Sequence, residues 1–166
     1  MRRLRRLTCL CGDKVAAWNT WRSRRNRFVE GSDCLFCGIV AGDVPAQIVD
    51  SDEHTVAFMD INPATRGHAL VVPRRHAADL FEISDEDLQR TMVAARRLAR
   101  RMRETLKPDG FNILNSCGAA AWQTVSHFHL HVVPRYDDDP LKLPWVPAEG
   151  DPDEIAAVAD SIRGHG

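Results

Sequence analysis

The chain has no long uninterrupted run of apolar residues. No apolar stretch approaches the roughly 20 residues that a helix needs to cross a bilayer, and none precedes a small-residue cleavage site as in a signal peptide. The sequence also has neither a glycine-rich P-loop nor an acidic cluster of the kind that holds Mg²⁺. These absences argue against a membrane protein, an exported precursor and a magnesium-dependent P-loop enzyme.

Cysteines are few and odd in number. The chain has five, at Cys9, Cys11, Cys34, Cys37 and Cys117. Without a secretion signal, an odd count is not typical of a disulfide framework. We therefore expect reduced thiols and a cytoplasmic location.

The net charge of −1 hides an asymmetry along the chain. Residues 1–33 carry nine Lys or Arg and three Asp or Glu, whereas residues 34–166 carry thirteen and twenty. An acidic body argues against nucleic acid as the main partner. The basic segment fits either an arm for an anionic surface or a solvated extension, and we expect a flexible extension.

Turn signals and hydrophobic periodicity predict a single α+β domain with an antiparallel sheet, because the strands follow one another without βαβ alternation. The predicted strands are residues 47–50, 55–59, 68–72, 111–114 and 127–133. We place the domain at 34–136, after the extension at 1–33 and before a C-terminal tail at 137–166.

The longest predicted helix begins after Ser84, a favourable N-cap, and ends before Pro108 and Gly110. Its apolar residues recur every three or four positions, which predicts a buried stripe. The predicted stripe is Leu88, Met92, Ala95, Ala99, Met102 and Leu106. Shorter helices are predicted after Cys37 and at 152–163.

Three of the seven histidines, His127, His129 and His131, alternate with large apolar residues. On a strand, alternate residues share a face, so the three imidazoles are predicted to line one surface. Two chemical interpretations are open: metal chelation, or a nucleophilic imidazole whose neighbours shape its site. Three surface histidines without a role are the remaining possibility.

Cys34 and Cys37 form a C-x-x-C pair, which supplies two of the four ligands of a closed tetrahedral zinc site. Histidines are the available candidates for the other two ligands. If one histidine of the trio joins the cysteines, the other two remain metal-free for catalysis. The alternative is that both cysteines are buried thiols.

The segment His127-Phe-His-Leu-His-Val-Val133 resembles the signature of the histidine triad (HIT) family of nucleotide hydrolases and transferases. Residues 57–63 and 67–76 resemble the nucleoside-binding strands of that family. Gln123-Thr-Val125 and Val133-Pro-Arg135 resemble the steps that flank its triad. The likeness covers about two-thirds of the chain, in the expected order.

The resemblance implies a HIT fold: a five-stranded antiparallel sheet with one long helix and one or two short helices. It also implies a homodimer in which the two sheets join into one continuous surface. Members of the family cleave nucleotides at the α-phosphate through a covalent nucleotidyl-histidine intermediate. We therefore expect a purine nucleotide as substrate.

By the same resemblance, His129 is the nucleophile and the backbone carbonyl of His127 holds the proton on its ring. His131 matches the histidine that hydrogen-bonds the phosphate or leaving group, and His68 matches a further histidine beside the triad. Asp60 matches the acidic residue that receives the ribose hydroxyls.

The remaining nucleotide contacts are expected from the base pocket and from the loop before the triad. Phe36, Ile39, Phe58 and Ile61 could wall the base pocket or be plain core. Gln123, Thr124 and Ser116 match positions near the phosphates or the leaving group. The resemblance assigns structural zinc to Cys34, Cys37, His76 and His127, and no catalytic metal is expected.

Two departures from the family pattern concern the leaving group. Ser116 stands where many members place an asparagine, and Trp122 stands where a glycine commonly precedes the glutamine. A bulky indole there could narrow the leaving-group pocket or stack on a base.

The predicted function is a HIT-type hydrolase, best described as a purine nucleoside phosphoramidase. The alternatives are a dinucleoside polyphosphate hydrolase or a nucleotidyl transferase. The non-enzyme alternative is a zinc-stabilised nucleotide-binding module.

Overall fold

A computed structural model describes residues 34–143 and 146–164. The basic segment at 1–33 lies outside the described residues, so the expectation about it stays a prediction. Within the described residues, three α-helices and five strands follow one another along the chain. They are α1 (Leu35–Ala41), β1 (Ile48–Ser51), β2 (Thr55–Met59), β3 (Ala69–Pro73), α2 (Asp85–Leu106), β4 (Gly110–Leu114), β5 (Leu130–Arg135) and α3 (Pro152–Arg163).

The five strands form one antiparallel sheet in the order β1-β2-β3-β5-β4. This confirms the predicted α+β class, the five-stranded antiparallel sheet and the combination of one long helix with shorter ones. In the described part of the chain, no helix is both long and apolar enough to span a membrane.

One face of the sheet packs on α2, whose N-terminus is capped by the Ser84 side chain as predicted. The predicted buried stripe is partly wrong. Met92 is 46% exposed, whereas Thr91, Ala94 and Leu98 are buried. Thr91 can enter the core because its hydroxyl donates to the Asp87 carbonyl at 2.7 Å, which satisfies its polar group.

Two arginines of α2 contact the β1 edge of the sheet. Arg97 lies 2.8 Å from a carboxylate oxygen of Asp50 and 2.7 Å from one of Asp52, and Arg101 donates to the Val49 carbonyl. These contacts hold the helix to the β1 edge of the sheet.

The opposite face of the sheet carries α1 and the histidines. In an antiparallel sheet, directly paired residues point to the same face. Phe58 pairs with Leu70, and Leu70 pairs with His131, so these three side chains share a face. Phe36 of α1 packs into this second apolar cluster.

The histidine strand begins later than predicted, at Leu130 rather than at residue 127. The segment before it is held by isolated bonds instead of a strand ladder: the His127 amide donates to the nearby Val125 carbonyl, and the Phe128 amide donates to the distant Ala77 carbonyl. The alternation still continues through this segment. Phe128, Leu130 and Val132 enter the core against α2, as predicted.

The loop between β2 and β3 is fixed from both sides. The buried hydroxyl of Thr65 donates to the Pro134 carbonyl at 2.5 Å. Gly67 has φ +92°, and a Cβ there would lie 2.5 Å from a methyl carbon of Leu106, so a glycine is required. This loop presents Asp60 at one end and His68 at the other.

Candidate active site and metal centre

His129 is buried, and a backbone carbonyl decides which of its ring nitrogens carries the proton. Its Nδ1 lies 2.6 Å from the His127 carbonyl oxygen, which can only accept a hydrogen bond. Nδ1 therefore carries the proton, and Nε2 presents a lone pair. Burial is the main cause that lowers the pKa of His129, so the ring is neutral near pH 7. A neutral imidazole with a bare nitrogen is a nucleophile.

A second chain of hydrogen bonds orients His131. The Ala64 amide donates to Nδ1 of His68 at 3.1 Å, so the proton of neutral His68 lies on Nε2. That Nε2 lies 2.9 Å from Nδ1 of His131 and donates to it. The proton of His131 is then on Nε2. The site thus combines a bare Nε2 on His129 with a hydrogen-bond donor on His131.

Asp60 and two phenylalanines lie beside this pair. An oxygen of Asp60 is 3.6 Å from Nε2 of His68, and the other oxygen accepts from the Asn62 amide. Phe36 packs edge-on against His129 with ring centroids 5.2 Å apart, and Phe58 packs against Phe36 at 5.3 Å. Ile61, the neighbour of Asp60, is 62% exposed, so it is not part of the core.

The loop of residues 115–124 is attached to the histidine segment at both ends. At its start, the Asn115 side chain donates to the His129 carbonyl at 3.0 Å. At its end, the Gln123 amide nitrogen donates to the carbonyls of Ala78 and Val125. Thr124 follows as an exposed residue, and Ser116 is half-buried.

Trp122 occupies a strained position in this loop. Its backbone has φ +68° and ψ 22°, the left-handed region in which a side chain costs about 1–2 kcal/mol. Its indole is 72% exposed. This conformation explains physically why a glycine suits the position.

Cys34, Cys37, His76 and His127 come together as predicted. Their ligand atoms all lie within 4.8 Å of one another. Nδ1 of His127 is 3.3 Å from the Cys34 sulfur and 3.5 Å from that of Cys37. Nδ1 of His76 is 3.3 Å from the Cys37 sulfur. A tetrahedral zinc ion would separate sulfur and nitrogen ligands by about 3.5 Å.

The protonation of these four residues also suits a metal ion. Nε2 of His127 lies 3.0 Å from the Pro73 carbonyl and donates to it, which leaves Nδ1 bare towards the sulfurs. Burial, reinforced by the neighbouring Cys34, raises the pKa of the Cys37 thiol to about 11. Two adjacent thiolates are therefore unfavourable unless a cation balances them. The cluster could hold a metal ion.

Asp60, His68 and His131 form a second group of potential ligands. It suits a metal poorly, because the Ala64 amide already occupies the lone pair on Nδ1 of His68. The proton must then stay on Nε2, the atom that faces His131. The hydrogen-bonded arrangement fits this group better than coordination does.

Three contributors to the site were missed by sequence reasoning. They are the Asn115 side chain, the Ala64 amide and the Pro73 carbonyl. An asparagine directly after a strand was a weak signal for Asn115. The other two are backbone groups, which leave no trace in residue identity.

His131 should make the stability of the fold depend on pH. Burial lowers its pKa from 6.5 to about 4, with further lowering by His129 and His68 and a smaller opposing effect of Asp60. The unfolded chain takes up this proton first, so stability is full above pH 6.5 and falls as the pH drops towards 4. From pH 7.5 to 5, we expect His131 to contribute a loss of about 2 kcal/mol.

Urea unfolding of the wild type and of His131→Gln at both pH values measures this loss. The variant should lose less stability than the wild type on acidification. Equal losses in the two proteins would contradict the assigned protonation.

Comparisons with known proteins agree on one family. The HIT domain family matches residues 41–138, more than half of the chain. A crystal structure of a HIT family member from Bacillus subtilis is 37% identical to this chain, with a TM-score of 0.74. The match covers 80% of this chain and 96% of the Bacillus subtilis chain. A zinc-bound histidine triad family protein from Mycobacterium smegmatis is 40% identical with a TM-score of 0.64, over 80% of this chain and 97% of its own.

A curated relative carries a named activity. The adenosine 5′-monophosphoramidase of Schizosaccharomyces pombe is 35% identical over 78% of this chain and 95% of its own length. Motif order, fold and sequence identity all agree, and the chain belongs to the histidine triad (HIT) family.

Proposed function

We propose that this chain hydrolyses purine nucleoside phosphoramidates at the α-phosphate through a covalent nucleotidyl-His129 intermediate. The observation that carries the proposal is the 2.6 Å contact between Nδ1 of His129 and the His127 carbonyl, which leaves Nε2 as a lone pair on a neutral ring. The 35% identity to the yeast phosphoramidase supports the choice of leaving group.

The reaction proceeds in two displacements. Nε2 of His129 attacks the α-phosphorus, a nitrogen–phosphorus bond forms, and the bond to the leaving amine breaks as the amine nitrogen takes up a proton from water. The Nε2 proton of His131 stabilises the charge that develops on the phosphate or leaving group. Water then attacks the phosphorus of the nucleotidyl-imidazole and loses a proton to the solvent, which releases the nucleoside monophosphate and free His129.

The nucleotide is bound by residues around this pair. Asp60 receives the ribose hydroxyls, and Phe36, Phe58 and Ile61 contact the base. Ser116 and the exposed Thr124 lie towards the phosphate and leaving group. The side chain of Gln123 is engaged with backbone groups of Gly118, Ala78 and Val125, so it contributes by holding the loop.

Replacing His129 should abolish turnover. We expect His129→Asn and His129→Ala to release AMP from the adenosine 5′-phosphoramidate of lysine at least about 1,000-fold more slowly than the wild type, because the neighbouring His131 presents a protonated Nε2 and cannot replace the nucleophile. His54→Asn is the matched control, since His54 contacts Arg90 on the surface. Turnover is measured by chromatographic detection of AMP.

Persistent AMP release by the His129 variants would refute the nucleophile. Faster wild-type turnover of diadenosine tri- or tetraphosphate than of the phosphoramidate would favour the dinucleoside polyphosphate hydrolase. Nucleotide binding without any wild-type turnover would favour a binding module.

We also propose that the metal of the Cys34, Cys37, His76 and His127 cluster is zinc. The zinc-bound Mycobacterium smegmatis relative supports this identity, and so does the two-thiolate, two-imidazole donor set. With four protein ligands, zinc supplies structure there. The location proposed for the chain is the cytoplasm, because Cys34 and Cys37 form no disulfide and unoxidised cysteines persist in a reducing compartment.

The cluster is positioned to brace the active site. Phe36 lies between the two cysteines in the chain and packs on His129, while the His127 carbonyl accepts the hydrogen bond that keeps the proton of His129 on Nδ1. A metal that fixes α1 to His127 therefore fixes two sides of the nucleophile.

The zinc proposal predicts about one zinc per chain in the purified protein. The double replacement of Cys34 and Cys37 by serine should remove the zinc, because two of its four ligands are lost. It should also lower the free energy of unfolding. Cys117→Ser is the control: this half-buried cysteine is not in the cluster, so zinc content should stay unchanged. Elemental analysis and urea unfolding provide the two readouts. A wild-type protein without stoichiometric zinc would rule the proposal out.

We propose further that two copies pair through β4 and α2, so that their sheets become continuous. β4 is an edge strand of the sheet, and edge strands offer unpaired backbone groups to a partner. Beside it, apolar side chains of α2 and β4 line one groove, which includes the half-buried Phe111. Met92, Val93 and Ile113 are exposed there.

A single charge in this groove should dissociate the dimer. Val93 and Val158 are helical valines that are 54% and 53% exposed, but only Val93 lies in the groove. We expect Val93→Asp to be a monomer by light scattering, because a buried carboxylate is costly. The control Val158→Asp should remain a dimer. A monomeric wild type, or two dimeric variants, would contradict this interface.

A further inference from the structure

Trp122 is a large aromatic side chain that the catalytic scheme leaves without a role. Its indole is 72% exposed, although burial of an indole is strongly favourable. Its backbone also holds the left-handed conformation, which side chains rarely adopt. An exposed aromatic ring on a strained backbone beside an active site calls for a ligand-based explanation.

The loop that carries Trp122 borders the triad. One end is bound to the triad itself, where Asn115 donates to the His129 carbonyl. The other end is bound through Gln123 to the carbonyl of Val125, and the amide of His127 donates to that same carbonyl. Trp122 is therefore one residue away from a fixed point at the rim of the site.

The backbone below the indole is rigidly held. The Trp122 amide donates to the Ala119 carbonyl at 3.1 Å, and the Gln123 amide donates to Gly118 at 3.2 Å. The Gly118 amide in turn donates to the Gln123 side chain at 2.7 Å. The turn leaves the indole only its own two side-chain torsions to adjust. Stacking on it therefore costs little conformational entropy.

The nucleoside base already has aromatic partners on another part of the site. Phe36 and Phe58 come from α1 and β2, next to His129. Trp122 belongs instead to the loop that carries Thr124, which lies towards the phosphate and leaving group in the proposed binding mode. A second flat ring near Trp122 must then belong to the leaving group.

We propose that Trp122 is a specificity-determining residue that stacks on aromatic leaving groups, so that this chain prefers nucleotides whose leaving group carries a flat ring over those with an aliphatic one. This proposal rests on the function proposed above. The bonds that form and break are unchanged, since the indole acts only by binding the departing group.

The test compares two adenosine 5′-phosphoramidates, one of tryptamine and one of n-propylamine. Both leaving groups are primary alkylamines, so the bond that breaks is the same and only the ring differs. For the wild type, we expect kcat/KM to be about tenfold higher with tryptamine, as one stacked ring typically gives. Trp122→Gly should lower this ratio to about one, mainly by slowing the tryptamine substrate.

Two controls separate stacking from structure. Glycine adopts φ +68° without strain, so Trp122→Gly is expected to fold at least as stably as the wild type. Trp122→Phe keeps a ring and should retain part of the preference. Light scattering of Trp122→Gly establishes whether the indole instead belongs to a subunit contact.

Two results would overturn the proposal. One is an unchanged ratio in Trp122→Gly, whether or not both substrates slow equally, and the other is loss of the dimer in that variant. If the wild type releases AMP from the propylamine substrate but shows no preference, only the Trp122 proposal fails. If it releases AMP from neither substrate, the proposed function fails, and the Trp122 proposal fails with it.

Discussion

The hydrogen bond from Nδ1 of His129 to the His127 carbonyl is the interaction on which the chemistry of this site depends. Burial keeps the ring neutral, but neutrality alone leaves the proton on either nitrogen. A carbonyl oxygen at 2.6 Å resolves this choice because it cannot donate. The same device recurs nearby, where the Ala64 amide fixes His68 and, through it, His131. Backbone groups thus set the protonation of the whole cluster.

His127 connects the histidines of the candidate active site to the cluster of Cys34, Cys37 and His76. Its Nδ1 faces the sulfurs of Cys34 and Cys37, its Nε2 donates to the Pro73 carbonyl, and its own carbonyl orients His129. This one buried residue is therefore in contact with three different parts of the chain. A metal ion bound to the His127 ring would also limit how far the His127 carbonyl can move, and would so hold the ring of His129 in place.

Much of the fold and of the cluster could be predicted because side-chain patterns encode them. The alternation of His127, His129 and His131 with apolar residues predicts the shared face, and the C-x-x-C spacing predicts the paired thiols. The predicted buried stripe of α2 was wrong at Met92 because an apolar residue was assumed to be buried. Thr91 enters the core instead, since its hydroxyl is hydrogen-bonded within the helix. Backbone partners such as Pro73 carry no side-chain signal, and the left-handed backbone of Trp122 is not encoded by its residue type.

Nucleotide transfer to His129 is tested most directly by trapping the protein during turnover. The wild type is mixed with excess phosphoramidate, quenched rapidly in denaturant at alkaline pH, and analysed by peptide mass spectrometry. The expected result is the added mass of one nucleoside monophosphate on the peptide that contains the triad, localised to His129. A label on another residue, or no label at any time before substrate is exhausted, would contradict a covalent role for this imidazole.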